Sequence, residues 1–239
     1  MSVSWSCTGG VATITLDRPE ARIAVNLAMC DGLIDAAKRA SADDSMRVVL
    51  VRASGPAFCA GADLKERQGM SEAQVRERRT RAFAAYAALE ALPMPSIAVV
   101  HGPAVGSGCE IAAACDFIVA TPEASFRTPE ALRGTVGATQ RLPRVLGKRL
   151  AKDMMFTGRS LTAQEALQAG LVSRVIDISR LEFVLGEITS GIVKAPAHSL
   201  RLAKRVIDRG VELDPEGALA AELEAIEAQL ASGEWMGKR

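Results

Sequence analysis

Residues 96–117 constrain this chain more than any other stretch: Ser-Ile-Ala-Val-Val-His-Gly-Pro-Ala-Val-Gly-Ser-Gly-Cys-Glu-Ile-Ala-Ala-Ala-Cys-Asp-Phe. The apolar, partly β-branched run at 97–100 reads as a buried strand. Gly and Pro then turn the chain, and a small-residue helix starts near Ser107 with Glu110 in its first turn. A strand, a glycine turn and a helix start in succession aim backbone N–H groups and the positive end of the helix dipole at one point, where an oxyanion can be held. Glu110 has two readings here. It can offset the dipole of its own helix, or it can do chemistry beside the anion.

Composition removes several classes. Lys+Arg (29) and Asp+Glu (28) nearly cancel, leaving a net charge of +1, so no strong field draws nucleic acid or an acidic membrane surface. Aromatic residues make up 4%, too few for base-stacking platforms. The five cysteines (Cys7, Cys30, Cys59, Cys109, Cys115) form no Cys-x-x-Cys pair and read as free thiols in a reducing compartment, without a metal or redox role. No apolar run reaches membrane-spanning length, and Met-Ser-Val-Ser-Trp-Ser is no signal peptide, so the expectation is a soluble, cytoplasmic protein.

Along the chain, 11–17 alternates behind a Gly-Gly turn and predicts an opening hairpin. A helix follows with Asn26 as N-cap, and 47–53 is a short buried strand. Ala57 to Glu66 is a tight small-residue bend. Ser71-x-x-Gln74 is a capping box opening an Ala-rich helix that runs to about Leu92, where Pro93 and Pro95 stop it. The four arginines at 76–81 read as a solvated face of that helix. Strands are predicted at 116–120, near 125–127 and at 172–176, with a second capping box at Thr162-x-x-Glu165. From Arg180 onward only helices are predicted. The last has Asp214 as N-cap, Pro215 at its first position, and Leu219, Leu223, Ile226 and Leu230 as an apolar stripe that must lie either on its own domain or on another subunit. The domain expectation is a mixed β/α core over 1–190 and a helical segment over 191–239.

Three features can share one crevice: the bend at 60–63, the turn at 106–110, and Thr128-Pro129-Glu130. The two bends each follow a buried strand, where open sheets present ligands. A free N–H at each would make a two-donor oxyanion hole. Glu110 and Glu130 would repel when both are ionised, pushing their pKa values apart so that one serves as base and the other as acid. His101 and His198 have no partner pattern and read as structural or exposed.

These stretches resemble the enoyl-CoA hydratase/isomerase (crotonase) superfamily. The matching residues are Phe58-Cys59-Ala60-Gly61-Ala62-Asp63-Leu64-Lys65-Glu66, His101-Gly102-x-Ala104-x-Gly106-x-Gly108-Cys109-Glu110, Cys115-Asp116-Phe117, Pro129-Glu130 and Thr139-Gln140-Arg141-Leu142-Pro143-Arg144. Phe156-Thr157-Gly158-Arg159 and Ala166-x-x-Ala169-Gly170-Leu171-Val172 continue the match, which covers roughly residues 10–235. The resemblance implies an α/β fold of repeated ββα units, a helical C-terminal segment that builds trimers or dimers of trimers, an acyl-CoA thioester substrate, and no metal or other cofactor. It puts the oxyanion-hole N–H groups on Ala62 and Ser107, the catalytic carboxylates on Glu110 and Glu130, and coenzyme A contacts on Arg22, Ala24, Ala60, Asp63, Leu64 and Lys65. Because both glutamates are retained, it favours hydration of a 2-enoyl-CoA. The alternatives are a double-bond isomerase working through Glu130 alone, or a protein like methylglutaconyl-CoA hydratase whose relatives bind RNA, against which the neutral charge counts.

Three departures from the family pattern stand out. The loop between Glu130 and Gln140 is short, Arg127 takes a place where a small residue is common, and the ending Glu234-Trp235-Met236-Gly237-Lys238-Arg239 lacks the usual final helix.

Overall fold

The structure is a computed structural model that describes residues 2–233. The expectation for residues 234–239 lies outside the described residues.

The opening hairpin forms from β1 (Val3–Thr8) and β2 (Val11–Leu16), and α1 (Leu27–Ala42) begins where expected, the Asn26 side chain accepting from the Met29 N–H at 2.9 Å. β3 (Val48–Ala53) leads into the bend at 60–63 and then α2 (Glu72–Glu90), which opens with both hydrogen bonds of the Ser71/Gln74 capping box. β4 (Ser96–Val100), a short β5 (Pro103–Val105) and α3 (Ser107–Ala113) make up the next ββα unit. β6 (Phe117–Ala120), β7 (Ser125–Arg127) and α4 (Arg141–Thr157) make another. β8 (Ser160–Thr162), α5 (Ala163–Gln168) and β9 (Arg174–Val175) complete the mixed part. Three helices follow: α6 (Leu181–Lys194), α7 (Ala197–Gly210) and α8 (Pro215–Ser232).

The main sheet has the order β1-β2-β3-β4-β6-β9, parallel except for the first pair. Both faces are covered, which is why its central strands read as continuous apolar runs. Alternation still sorts them: Val49, Val51, Ala98 and Val100 point into the large core, while Val48, Leu50, Ile97 and Val99 meet Leu181 and Leu185 of α6. The expected division at 190/191 falls within α6. A second sheet, β5-β7-β8, forms because 103–105, in the stretch read as a plain turn, pairs in parallel with the expected strand at 125–127. At three residues each, β5 and β8 are too short for periodicity to reveal.

One expectation needs correcting, and one choice left open is narrowed. The arginines of α2 are not all solvated: Arg78 is 5% exposed. It lies at helical spacing from Ala85, Tyr86 and Leu89, so it belongs to the inner face despite its charge. The stripe Leu219, Leu223, Ile226 and Leu230 does not lie on its own domain. These side chains are exposed, and the buried residues of α8 are Ala221 and Ala225. The hydrophobic face of α8 points out.

Candidate active site

Two bends meet beyond the C-terminal ends of the neighbouring strands β3 and β4. The first is pinned from both sides. Val25 pairs with Ala62 as an isolated parallel bridge, the Val25 N–H donating to Gly61 O (2.8 Å) and the Asp63 N–H to Val25 O (2.8 Å). In such a bridge the paired residue's own N–H points away from its partner. The Ala62 N–H accordingly has no acceptor among the described residues. Arg78 supports the bend from α2, donating to Glu66 Oε2 and to Val25 O, both at 2.6 Å.

The second bend ends at Gly106 (φ +53°), whose N–H donates to Arg127 O at 2.8 Å; Ser107 then starts α3 with its N–H free, as first-turn donors are. Glycine is required by φ, and a Cβ on Gly106 would overlap Glu130 Oε1, so any substitution would displace that carboxylate. At Gly108 a Cβ would stand 2.6 Å from Cys59 O, so only glycine lets the two bends approach this closely. Tyr86, buried on α2, stands near the Ser107 side chain and lines the same cavity, and burial raises its own pKa.

Ala62, Ser107, Glu110 and Glu130 all line one cavity of about 310 Å³, with Val75, Ala82 and Phe83 of α2 among its walls. The two carboxylates differ. Glu110 is 4% exposed, and its Oε2 accepts from Arg141 Nη1 at 2.9 Å; Arg141 also donates to Glu90 at 2.6 Å. Glu130 has no cation bound to it, and its Oε2 is buried without a hydrogen-bond partner among the described residues. Burial, reinforced by the negative charge of Glu110, raises the Glu130 pKa above the ordinary carboxylate range. The cavity therefore presents an ion-paired carboxylate and one biased toward its protonated form, beside two free backbone donors.

Residues assigned to coenzyme A by resemblance divide in the structure. Ala60 and Leu64 line the cavity; Arg22 and Lys65 are exposed beside the bend, and Ala24 is half-buried. The Asp63 carboxylate is used internally, accepting from the Lys65 N–H (3.0 Å) and from Arg18 (3.0 Å), so it shapes the bend and is not a free anion. Arg127 directs its guanidinium to Gly158 O at 2.5 Å and does not line the cavity. The short loop after Glu130 closes as a 3-10 turn, with the Arg133 and Thr135 N–H groups both donating to Glu130 O at 3.0 Å. Arg78, Tyr86 and Arg141 are the site residues that residue-by-residue reading left without roles. Helical phase from Leu89 places the first two on the inner face, whereas Arg141 carried no signal beyond its place in a matching motif. The thiols are not nucleophile candidates: burial pushes Cys59 up to about 12 and Cys30 to about 11.

A family description, "Enoyl-CoA hydratase/isomerase", matches residues 6–235. The chain belongs to the enoyl-CoA hydratase/isomerase (crotonase) family. Its relatives include the short-chain-enoyl-CoA hydratase of Clostridium acetobutylicum, 38% identical over 223 residues that cover 91% of this chain and 85% of that protein. Enoyl-CoA hydratase domain-containing protein 2, mitochondrial, of Bos taurus is 39% identical over 225 residues, covering 89% of this chain and 75% of that one. The crystal structure of an enoyl-CoA hydratase from Mycobacterium smegmatis superposes with a TM-score of 0.93 at 33% identity, covering 100% of this chain and 98% of that chain. The fold is the mixed α/β crotonase fold with C-terminal helices. Family membership implies an acyl-CoA substrate and an enzyme of the hydratase or isomerase type. No described helix is long and apolar enough to cross a membrane, and a mitochondrial relative means that the family by itself does not fix a compartment.

Proposed function

We propose that the protein is an enoyl-CoA hydratase, adding water across the C2=C3 bond of a 2-enoyl-CoA thioester. The observation that carries this reading is that Glu110 and Glu130 line the same cavity as the unpaired N–H groups of Ala62 and Ser107. The thioester oxygen would accept from those two donors, which strengthen as it becomes enolate-like; one such donor is typically worth about 3 kcal/mol. Glu110, the ion-paired carboxylate, would accept a proton from water as its oxygen bonds to C3. Glu130, biased toward its protonated form, would deliver a proton to C2. Return of the proton from Glu110 to Glu130 restores the enzyme. Coenzyme A would follow the first bend, past Arg22, Ala24, Ala60, Leu64 and Lys65, with Asp63 holding the bend's shape.

The test is loss of the enoyl-thioester absorbance with crotonyl-CoA. Glu110→Gln and Glu130→Gln should each lower kcat by about 10²–10⁴-fold, the usual range for a lost acid or base, while coenzyme A still binds. Full activity in Glu110→Gln would sink hydration by this pair. The second reading, isomerisation through Glu130 alone, would then take its place. It draws on the commitment of Glu110 to Arg141, which leaves Glu130 as the carboxylate free of an ion pair.

The outward face of α8 supports assembly into trimers or dimers of trimers through the C-terminal helices. Sedimentation equilibrium should give a mass of three or six chains, and a monomer at micromolar concentration would remove the idea.

A further inference from the structure

The walls of the cavity differ in charge, and the imbalance sits at one end. Four arginines line it: Arg67, Arg78, Arg79 and Arg133. Arg78 is spent on Glu66 at 2.6 Å, and Arg67 belongs to the bend along which coenzyme A is placed. The remaining two lie with Glu130. Arg133 sits in the 3-10 turn that Glu130 caps, and Arg79 reaches from α2 to the loop just beyond. Arg79 donates only to neutral acceptors, the Thr135 hydroxyl at 2.6 Å and the Val136 carbonyl. Neither guanidinium forms an ion pair among the described residues. Both stand near enough to Glu130 to bear on its charge.

The carboxylates of the cavity do not balance these charges. Glu110 is already matched by Arg141 at 2.9 Å, and Glu130 is held toward its neutral form by burial. Two cations on separate elements, Arg79 of α2 and Arg133 of the 3-10 turn, thus line the cavity beside the apolar Val75, Ala82 and Phe83, with no ion-pair partner among the described residues. A hydrocarbon chain bound beyond the thioester gains from the wall and nothing from the cations. A chain ending in a carboxylate gains from both, since guanidinium groups bind carboxylates through charge-assisted, often bidentate, hydrogen bonds.

Resting on the hydration reading, we propose that the acyl group carries a carboxylate at its far end: the substrate is the 2-enoyl-CoA monothioester of a short dicarboxylic acid, with Arg79 and Arg133 meeting the free carboxylate. Both arginines are largely exposed, which limits the selectivity to about tenfold and not the several hundredfold of a buried site.

The experiment compares two substrates of equal chain length, trans-2-pentenoyl-CoA and trans-4-carboxybut-2-enoyl-CoA. The wild type should favour the carboxylate by up to about tenfold in kcat/KM, and Arg133→Gln should remove most of that preference. Equal turnover, or preference for the methyl-ended chain, overturns the proposal. Calorimetric binding of the saturated pair, pentanoyl-CoA and glutaryl-CoA, separates it from the chemistry. Tighter binding of glutaryl-CoA that Arg133→Gln abolishes sustains the charged end even if neither enoyl thioester is hydrated, in which case only the hydration reading falls. A loss in Arg133→Gln that is equal for both saturated thioesters assigns the guanidinium to the coenzyme A phosphates and overturns the proposal.

Discussion

Glu110 and Glu130 are the same side chain placed in opposite surroundings. Glu110 sits in a rigid setting, in the first turn of α3, nearly buried, and tied to Arg141, which is itself tied to Glu90. Glu130 sits at the start of a 3-10 turn, packed between Gly106 and Gly137, with a buried oxygen that has no partner among the described residues. An unsatisfied buried acceptor costs about 1–3 kcal/mol, and a functional site is where such a cost is tolerated. The difference teaches how one cavity can set two identical groups apart: it ion-pairs one with Arg141 and leaves the other desolvated, with no ion pair among the described residues.

The comparison breaks most directly at Gly106. Gly106→Ala puts a methyl group onto Glu130 Oε1 at a backbone φ of +53°, so the acid must move while Glu110 stays in place. A displacement of about 1 Å in a reacting group costs on the order of 10²-fold, and kcat for crotonyl-CoA should fall by that much or more. A fully active Gly106→Ala would show that the position of Glu130 is not critical.

Arg141→Gln tests the other side with a smaller effect. It removes the cation from Glu110, and kcat should fall about tenfold or more with KM little changed. Breaking a nearly buried ion pair should also lower stability by about 3 kcal/mol, read as a lower melting temperature. The pH profile sharpens the assignment. An acid with a raised pKa stays protonated to higher pH and loses its proton as pH climbs through that value, so kcat/KM should decline on the alkaline side. On the hydration reading that limb belongs to Glu130, with which Arg141 forms no ion pair, and it should stay in place in Arg141→Gln. A limb that moves with Arg141 would assign the acid role to Glu110 instead.

Much of the fold was legible because its signals are local. The Asn26 cap, the Ser71/Gln74 and Thr162/Glu165 boxes and the Asp214 cap each involve residues three apart, and all four form as read. The site was legible through its motifs: the bends at 60–63 and 106–110 and the two glutamates do come together around one cavity. The β5-β7-β8 sheet, the buried Arg78 and the outward α8 stripe were not, since each depends on what lies across from it. Arg78 is the instructive case. Its charge made it look solvated, and only the approach of Glu66 and the Val25 carbonyl from other elements makes its burial affordable.

Residues 96–117 show where the division falls. Sequence by itself determined a buried strand, a glycine turn and a helix start carrying one carboxylate, because strand burial, glycine φ and first-turn donors are properties of the local chain. It could not decide what the carboxylate does. Tertiary structure supplied the surroundings on which that role depends, by bringing Arg141 to Glu110, Glu130 against Gly106, and Cys59 against Gly108. The role of a charged group depends on its neighbours within a few ångströms, and those neighbours come from residues far away along the chain.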